Sequence, residues 1–199
     1  MPEPGPAPIP IERVLRDLLA WFRTSRVRGV IIGGVAVSLL AKPRMTRDVD
    51  AMVILDEERW GRFLEAGKRF GLRSRTRDPI AFARLHRVLP LVHEPTGTQV
   101  DCSLGRLRFE KEAVRRRILR RGGGLSIPLP RPEDLVVMKA VAGRPQDRAD
   151  IAAIVGENPH LRLDVVRREL RGFAEAFDLP GLLEDFEILV HGARRTRGT

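Results

Sequence analysis

The sequence predicts an α/β (α+β) protein, with a mixed core over residues 11–130 and a helical part over residues 131–192. Short apolar segments typical of buried strands alternate with segments of helical periodicity in the first part. After residue 132 the spacing of apolar residues is helical almost to the end. The 199 residues suffice for one substantial core or two small ones, because domains commonly contain roughly 100–200 residues.

The order of elements follows from apolar spacing and from the positions of glycine and proline. The predicted elements of the first part are helix 11–22, strand 30–32, helix 35–40, strand 51–55, helix 56–70 with Asp56 as its N-cap, a hairpin of strands 88–92 and 99–104, basic helix 109–120, and a strand after the glycine turn 122–124. Residues 72–87 have too weak a pattern for an assignment. The predicted helices of the second part are 133–142, 146–155, 161–177 and 181–190.

Both ends of the chain are predicted to lie outside the folded part. Residues 1–10 are rich in proline and predict a stiff, solvated lead-in, and residues 193–199 predict a disordered tail. The first ten residues lack the basic and apolar segments of a secretory signal. The longest apolar run, residues 30–41, is shorter than the roughly 20 residues that a membrane span needs. A cytoplasmic location without membrane contact is therefore expected.

The charge of the chain indicates an anionic partner. The formal net charge is +10 and the sequence pI is about 11.2. Such a charge attracts nucleic acids, nucleoside triphosphates and acidic proteins without selecting among them. The single cysteine, Cys102, cannot form an internal disulfide, which fits a reducing compartment.

Two acidic residues separated by a single residue lead directly into the second predicted strand. Because alternate residues of a strand point the same way, Asp48 and Asp50 are expected to project side by side. Adjacent carboxylates repel each other, and a divalent cation removes the repulsion. Mg²⁺ prefers a few carboxylates together with waters and phosphate oxygens. The pair therefore predicts a metal site directed at a phosphate group.

Two further features support this prediction. Gly33 and Gly34 lie between a strand and a helix, where glycine lets the backbone approach a ligand and the exposed amides attract negative charge. Asp101 lies in the middle of a predicted strand between Val100 and Cys102, where an aspartate is otherwise unfavourable. Two carboxylates with a third on a neighbouring strand are the arrangement that two-metal phosphoryl transfer uses.

These residues resemble a known signature. The pattern begins with an apolar-Gly-Gly segment, which is followed by the thirteen residues 35–47, an Asp-apolar-Asp-apolar segment and, later, an apolar-Asp-apolar segment. This pattern resembles the signature of the polymerase-β-like nucleotidyltransferase superfamily. Residues 139–151, KAVAGRPQDRADI, resemble a segment of the AbiEii-type toxin branch and its uncharacterised bacterial relatives. Where this family often has serine, the chain has Gly34, which offers only backbone donors.

The resemblance implies a nucleotidyltransferase-type mixed sheet flanked by helices, which transfers a nucleoside monophosphate from a triphosphate to an acceptor hydroxyl. It implies two Mg²⁺ ions, with Mn²⁺ as an alternative, held by Asp48, Asp50 and Asp101, the catalytic carboxylates. The residues implied in nucleotide binding are Gly33, Gly34, Arg44, Thr46 and Lys139. The acceptor stays open among RNA or tRNA, a protein and a small molecule, and a cognate protein partner is a further expectation.

The same acidic residues also have simpler, purely structural interpretations. Asp48 and Asp50 alone could belong to a solvated turn paired with Arg47, and Asp101 could pair with one of the many arginines. Asp147 and Asp150 could form a surface ion-pair ladder with Lys139 and Arg144.

Other residues, and the function as a whole, also have simpler interpretations. Arginines 115–117, 120 and 121 are interpreted as a solvated helix face, with contact to RNA as the alternative. His86 and His93 are interpreted as ordinary residues. The alternative function is a non-catalytic nucleotide- or RNA-binding member of a toxin–antitoxin pair.

Overall fold

The computed structural model describes residues 11–43 and 45–195, which form two compact units. The first unit contains residues 11–34 and 45–129, and the second contains residues 35–43 and 130–195. The change of unit after Leu129 lies next to the boundary expected near residue 130. Residues 35–43, by contrast, were expected within the first part and belong to the second unit.

The first unit is built on a five-stranded sheet. Its strands are β1 Arg28–Ile32, β2 Asp48–Ile54, β3 Leu72–Ser74, β4 Val88–His93 and β5 Thr98–Gly105, in the spatial order β1-β2-β5-β4-β3. The pairing of β2 with β5 is parallel, and the other neighbouring pairs are antiparallel. The sheet is therefore mixed, as the sequence predicts.

Helices α1 Ile11–Thr24, α3 Trp60–Gly67, α4 Pro79–His86 and α5 Arg108–Arg115 belong to the first unit, and α2 Gly33–Leu40 begins in it. Helix α1 buries an apolar face, as its spacing predicts. The ring of Trp21 in this face stacks on Phe63 of α3 with centroids 3.9 Å apart, and its indole N–H donates a hydrogen bond of 2.8 Å to the Phe63 carbonyl oxygen. A buried tryptophan with a satisfied N–H anchors the N-terminal helix to the core of this unit.

Two predictions for the middle of the chain are corrected. The segment after β2 is not one helix to residue 70, because α3 is flanked by short 3₁₀ turns at Glu57–Arg59 and Lys68–Phe70. Asp56 makes no side-chain capping bond. The unassigned segment 72–87 forms β3 and α4, and Asp78 accepts the capping hydrogen bond of α4 from the Ala81 amide at 3.0 Å.

The basic helix predicted over residues 109–120 is also corrected. Helix α5 ends at Arg115, and residues from Ile118 form strand β6 Ile118–Gly122, which pairs with β7 Leu125–Leu129 around Gly123 and Gly124. Both glycines have positive φ, which this tight turn requires. Arginines 120 and 121 therefore lie on an exposed hairpin strand and not on a helix face.

Four helices make up most of the second unit: α6 Pro132–Ala142, α7 Pro145–Glu157, α8 Leu163–Phe177 and α9 Leu182–Arg195. They match the four helices predicted for this part of the chain. Helix α9 continues to Arg195, beyond the start of the tail predicted at residue 193. The proline-rich lead-in and residues 196–199 lie outside the described residues. None of the helices in the described ranges has the length and apolar character that a membrane span requires.

Candidate functional site

The three predicted catalytic aspartates lie on adjacent strands of the sheet. In the parallel pairing of β2 and β5, Asp50 lies opposite Asp101 and Asp48 lies opposite Gln99. Paired residues of neighbouring strands, and residues two apart on one strand, share a face of the sheet. Asp48, Asp50, Gln99 and Asp101 therefore occupy one patch on a single face, called here the carboxylate face.

The alternation of burial along both strands explains this placement. On β2, Val49 and Ala51 are fully buried while Asp48 is exposed and Asp50 is half-buried. On β5, Val100 and Cys102 are fully buried while the Asp101 side chain keeps 45% of its surface exposed. The apolar residues pack into the core, which forces the aspartates to the opposite face.

The thiol of Cys102 belongs to that buried side. Burial raises its pKa well above the ordinary range, and the charge of Asp101 raises it further. Cys102 therefore remains a neutral thiol, packed as a small apolar residue.

Gly33 lies against the Asp50 carboxylate. Its φ is +62°, and a Cβ at this position would come within 1.8 Å of Asp50 Oδ2. Only glycine accommodates both the backbone conformation and this close approach. Gly33 begins helix α2, so the carboxylate patch and the backbone of a helix N-terminus are adjacent, as the sequence predicts.

Thr46 and the neighbouring cleft extend the patch. The Thr46 hydroxyl donates a hydrogen bond of 2.8 Å to Asp48 Oδ1. An open cleft of about 330 Å³ lies beside it, and its lining residues are Arg47, Asp48, Thr96, Gly97, Thr98 and Gln99. Arg44, which the sequence also assigns to nucleotide binding, lies outside the described residues.

Arg75 joins the carboxylate face without having been predicted there. Its guanidinium forms an ion pair with Asp101 Oδ1 and donates to Gln99 Oε1 at 3.1 Å and to the Leu91 carbonyl oxygen at 2.9 Å. Asp101 is thus both a member of the patch and the partner of an arginine, so the two interpretations of this residue are not exclusive. Arg75 lies in the segment without a clear pattern, and no local signal marks it.

The donor atoms of the patch fit a hard divalent cation. Three carboxylates on one face are the oxygen ligands that Mg²⁺ prefers. Among residues 11–43 and 45–195, however, no group of three or more histidine, cysteine, aspartate or glutamate side chains is arranged to hold a metal ion. The Asp101 carboxylate is engaged by Arg75.

Lys139 lies in a separate cluster within the second unit, called here the buried charge cluster. Its Nζ is 2.7 Å from Asp147 Oδ1 and 2.9 Å from Asp150 Oδ2, and all three side chains are at most 6% exposed. Arg144 Nε donates to Asp147 Oδ2 at 2.8 Å. The surface ladder considered for these residues is therefore wrong, because the ion pairs are buried.

The pKa of Asp147 reflects this environment. Burial raises the pKa, but hydrogen bonds and charge attraction from Arg144 and Lys139 outweigh burial. The pKa lies below its ordinary value as a result, so Asp147 is a carboxylate at neutral pH.

His93 is fully buried in the first unit and has a structural environment. Its Nε2 lies 2.9 Å from Asp17 Oδ2, and its Nδ1 lies 2.8 Å from the Thr96 hydroxyl. These contacts join α1 to the turn between β4 and β5, and they agree with the interpretation of His93 as an ordinary residue.

Comparison with solved structures identifies the fold. The antibiotic-resistance factor ANT(2'')-Ia matches with a TM-score of 0.57 at 15% identity, over 85% of this chain and 96% of that chain. The lincosamide antibiotic adenylyltransferase LnuA, in its lincomycin-bound structure, matches with a TM-score of 0.53 at 15% identity, over 74% and 98%. An antigenic nucleotidyltransferase-like protein from Paracoccidioides brasiliensis matches with a TM-score of 0.50 at 17% identity, over 88% and 91%.

The chain has the nucleotidyltransferase fold. The predicted fold class is thereby confirmed. The amino-acid sequence itself matches no family model and no curated protein. At these identities the likeness concerns the fold, and the chemistry has to be argued from the residues of the carboxylate face.

Proposed function

We propose that the protein is a metal-dependent nucleotidyltransferase, which moves a nucleoside monophosphate from a nucleoside triphosphate to an acceptor hydroxyl. The observation that carries the proposal is the register of β2 and β5, which sets Asp50 opposite Asp101 and next to Asp48 on one face. Three carboxylates brought together in this way are costly unless a cation neutralises them. Their closeness to Gly33 supplies the complementary feature for an anionic ligand.

Asp48 and Asp50 are the proposed ligands of two divalent cations, with Mg²⁺ expected and Mn²⁺ as the alternative. Bound there, the metal ions would neutralise the phosphate charge and orient the triphosphate. Thr46, which donates to Asp48 Oδ1, holds that carboxylate in place. Both aspartates belong to one short strand, so their spacing is set by the strand itself.

Asp101 is the proposed third ligand and the group that accepts the proton of the acceptor hydroxyl. The acceptor oxygen then forms a bond to the α-phosphorus, the bond from this phosphorus to the bridging oxygen breaks, and pyrophosphate leaves. This role requires that Asp101 be accessible, and its side chain is 45% exposed.

The remaining proposed nucleotide contacts are of two kinds. The backbone of Gly33 and Gly34, at the start of α2, is suited to phosphate oxygens. Arg44, Thr46 and Lys139 are the proposed side-chain contacts carried over from the family resemblance. Lys139 differs from the other two, because its ammonium group is already paired with two buried aspartates.

The acceptor is proposed only as a class, a hydroxyl of RNA or tRNA, of a protein or of a small molecule. The net charge of +10 favours a nucleic acid. The fold neighbours ANT(2'')-Ia and LnuA, an antibiotic-resistance factor and a lincosamide adenylyltransferase, favour a small molecule. The resemblance to the AbiEii-type branch adds a cognate protein partner and a toxin–antitoxin context to the proposal. The cytoplasmic location expected from the sequence is also part of it.

The first test is titration of each nucleoside triphosphate by calorimetry, with and without Mg²⁺, on the wild type and on Asp48→Asn. Binding that needs Mg²⁺ and is lost in the variant is the expected result, and it identifies the donor without knowledge of the acceptor. The substitution keeps the size of the side chain and removes its charge, so a folded variant isolates the metal ligand.

The alternative, a non-catalytic RNA- or nucleotide-binding protein, makes the opposite prediction. Such a protein should retain RNA binding in the presence of a chelator and in Asp48→Asn. Failure to bind any triphosphate under either condition would overturn the transferase proposal.

A further inference from the structure

Arg75 lies on the carboxylate face and forms an ion pair with Asp101. It follows β3 and extends the pairing of that strand with β4, since its backbone N–H donates to the Pro90 carbonyl oxygen at 2.8 Å. Pro90 is the residue of β4 that lies opposite Asp101. The extended backbone therefore places Arg75 in the same row of cross-strand neighbours as Pro90, Asp101 and Asp50.

The guanidinium of Arg75 is oriented by several acceptors. Besides Asp101, it reaches Gln99 Oε1 and the Leu91 carbonyl oxygen, through separate nitrogen atoms. The Arg75 side chain is 31% exposed, so the ion pair is partly shielded from water. Hydrogen bonds to three acceptors fix the orientation of the planar Arg75 guanidinium, whereas the flexible ammonium group of a lysine would be held less firmly.

We infer that Arg75 is a positioning residue that neutralises Asp101 in the absence of metal and competes with the divalent cation for this carboxylate. This inference rests on the proposed function, since it assumes that Asp101 is a metal ligand. Without a cation, the opposed carboxylates of Asp50 and Asp101 repel each other across the strands, and the guanidinium relieves that repulsion. A metal ion that takes Asp101 as a ligand has to displace Arg75.

The test is Mn²⁺ binding to the nucleotide-free protein, measured by the electron paramagnetic resonance signal of free Mn²⁺, for the wild type, Arg75→Gln and Arg73→Gln. Arg73 is the matched control, because it lies two residues earlier in β3 and pairs with Glu94 at 3.0 Å instead of with Asp101. Both variants lose one positive charge near the same face. Any difference between them therefore reports the contact with Asp101 and not the general charge.

We expect Arg75→Gln to bind Mn²⁺ about fivefold more tightly than Arg73→Gln, the factor that corresponds to ~1 kcal/mol, the upper range for a solvent-exposed ion pair. Arg75→Gln should also be the less stable of the two without metal, and should gain more thermal stability when Mn²⁺ is added. A purely structural arginine would lower stability equally with and without Mn²⁺. Equal Mn²⁺ affinity of the two variants would overturn the inference.

Two further variants keep the test decisive. If Arg75→Gln does not fold, Arg75→Lys keeps the charge with a weaker hold on Asp101, and tighter Mn²⁺ binding than in the wild type is expected. Asp48→Asn separates the inference from the proposed function. Mn²⁺ binding that is lost in Asp48→Asn but equal in the two arginine variants overturns the role of Arg75 alone, whereas no Mn²⁺ binding by any of the proteins overturns both proposals.

Discussion

The carboxylate face of the first unit and the buried charge cluster of the second unit use the same chemical groups in opposite ways. In the buried charge cluster, Lys139 lies between Asp147 and Asp150, and water reaches at most 6% of each side chain. On the carboxylate face, three acidic residues share one patch, in which Asp48 is exposed and the Asp101 side chain keeps 45% of its surface exposed. The charges of the cluster are paired within the protein and enclosed, whereas the charges of the carboxylate face are accessible and predominantly acidic.

The difference shows how burial separates structural charges from charges that are available to a ligand. Enclosed charges must find partners within the protein, because an unpaired buried ion costs several kcal/mol. Carboxylates that are accessible to solvent can remain charged and can bind a cation from solution. The family resemblance treats Lys139 and the aspartates of β2 alike, whereas their environments predict different responses to substitution.

The largest effect is expected on ligand binding at the carboxylate face. Asp50→Asn should weaken Mg²⁺-dependent triphosphate binding by about a thousandfold, since a lost metal ligand is worth several kcal/mol and ~1.4 kcal/mol is a factor of ten. The substitution keeps the size of the side chain, so the variant should remain folded and its free energy of unfolding should change far less than its binding. Calorimetry and chemical denaturation measure the two quantities. Asp56→Asn, just beyond β2, is the control and should change neither, and full binding by Asp50→Asn would contradict the assignment of the face.

The buried charge cluster should respond in stability. Lys139→Met leaves two buried aspartates without their shared cation and should lower the free energy of unfolding by about 3–5 kcal/mol. Urea denaturation measures the change. Arg148→Gln removes the same charge from an exposed pair with Asp185, 3.8 Å apart, and should cost less than ~1 kcal/mol. Similar losses in the two variants would mean that burial does not distinguish the cluster.

The same Lys139 variant also tests the phosphate contact proposed for this residue. If Lys139 serves only the buried charge cluster, the folded variant should bind triphosphate as the wild type does, under conditions in which both are fully folded. A specific loss of triphosphate affinity would instead support the contact that the family resemblance implies.

A smaller effect is expected from Gly33→Ala. The new Cβ would lie 1.8 Å from Asp50 Oδ2 in a backbone conformation that costs an alanine about 1–2 kcal/mol. The carboxylate has to move, and Mg²⁺-dependent triphosphate binding should fall about tenfold. Gly61→Ala in α3 is the control, since a Cβ there meets no atom within 4 Å, and it should leave binding intact. Unchanged binding by Gly33→Ala would show that the close approach is not needed.

The smallest effect is expected from pH. The pKa of Asp147 is lower in the folded protein than its ordinary value of about 3.9 in the unfolded chain, so this group stabilises the fold fully above that value. Its contribution is lost as the pH falls below about 4 and through the folded pKa. Unfolding by urea between neutral pH and pH 3 should therefore show a shallower acid loss in Asp147→Asn than in the wild type. The exposed Asp164→Asn should follow the wild type, and parallel profiles for all three proteins would contradict the expectation.

Much of the carboxylate face follows from local sequence. The alternation around Asp48 and Asp50 puts both on one side of a strand, because neighbouring side chains of a strand point to opposite faces. The glycines at 33 and 34 indicate a close approach of the backbone, and Gly33 has the positive φ that this approach requires. The isolated aspartate in the apolar segment around residue 101 indicates the neighbouring strand that carries the third carboxylate.

Other features depended on how the elements pair and pack against one another. Examples are the parallel register that sets Asp50 opposite Asp101, the ion pair of Arg75, the burial of Lys139 and the hairpin strand β6. In each case the local pattern was silent or was shared by alternatives, as with arginines 120 and 121, whose basic run is equally compatible with a helix face. Periodicity determines which side of an element a residue occupies, because it acts over a few residues. Which charges meet and which are removed from water is decided by packing over the whole fold, because desolvation and ion pairing depend on every element that surrounds a group.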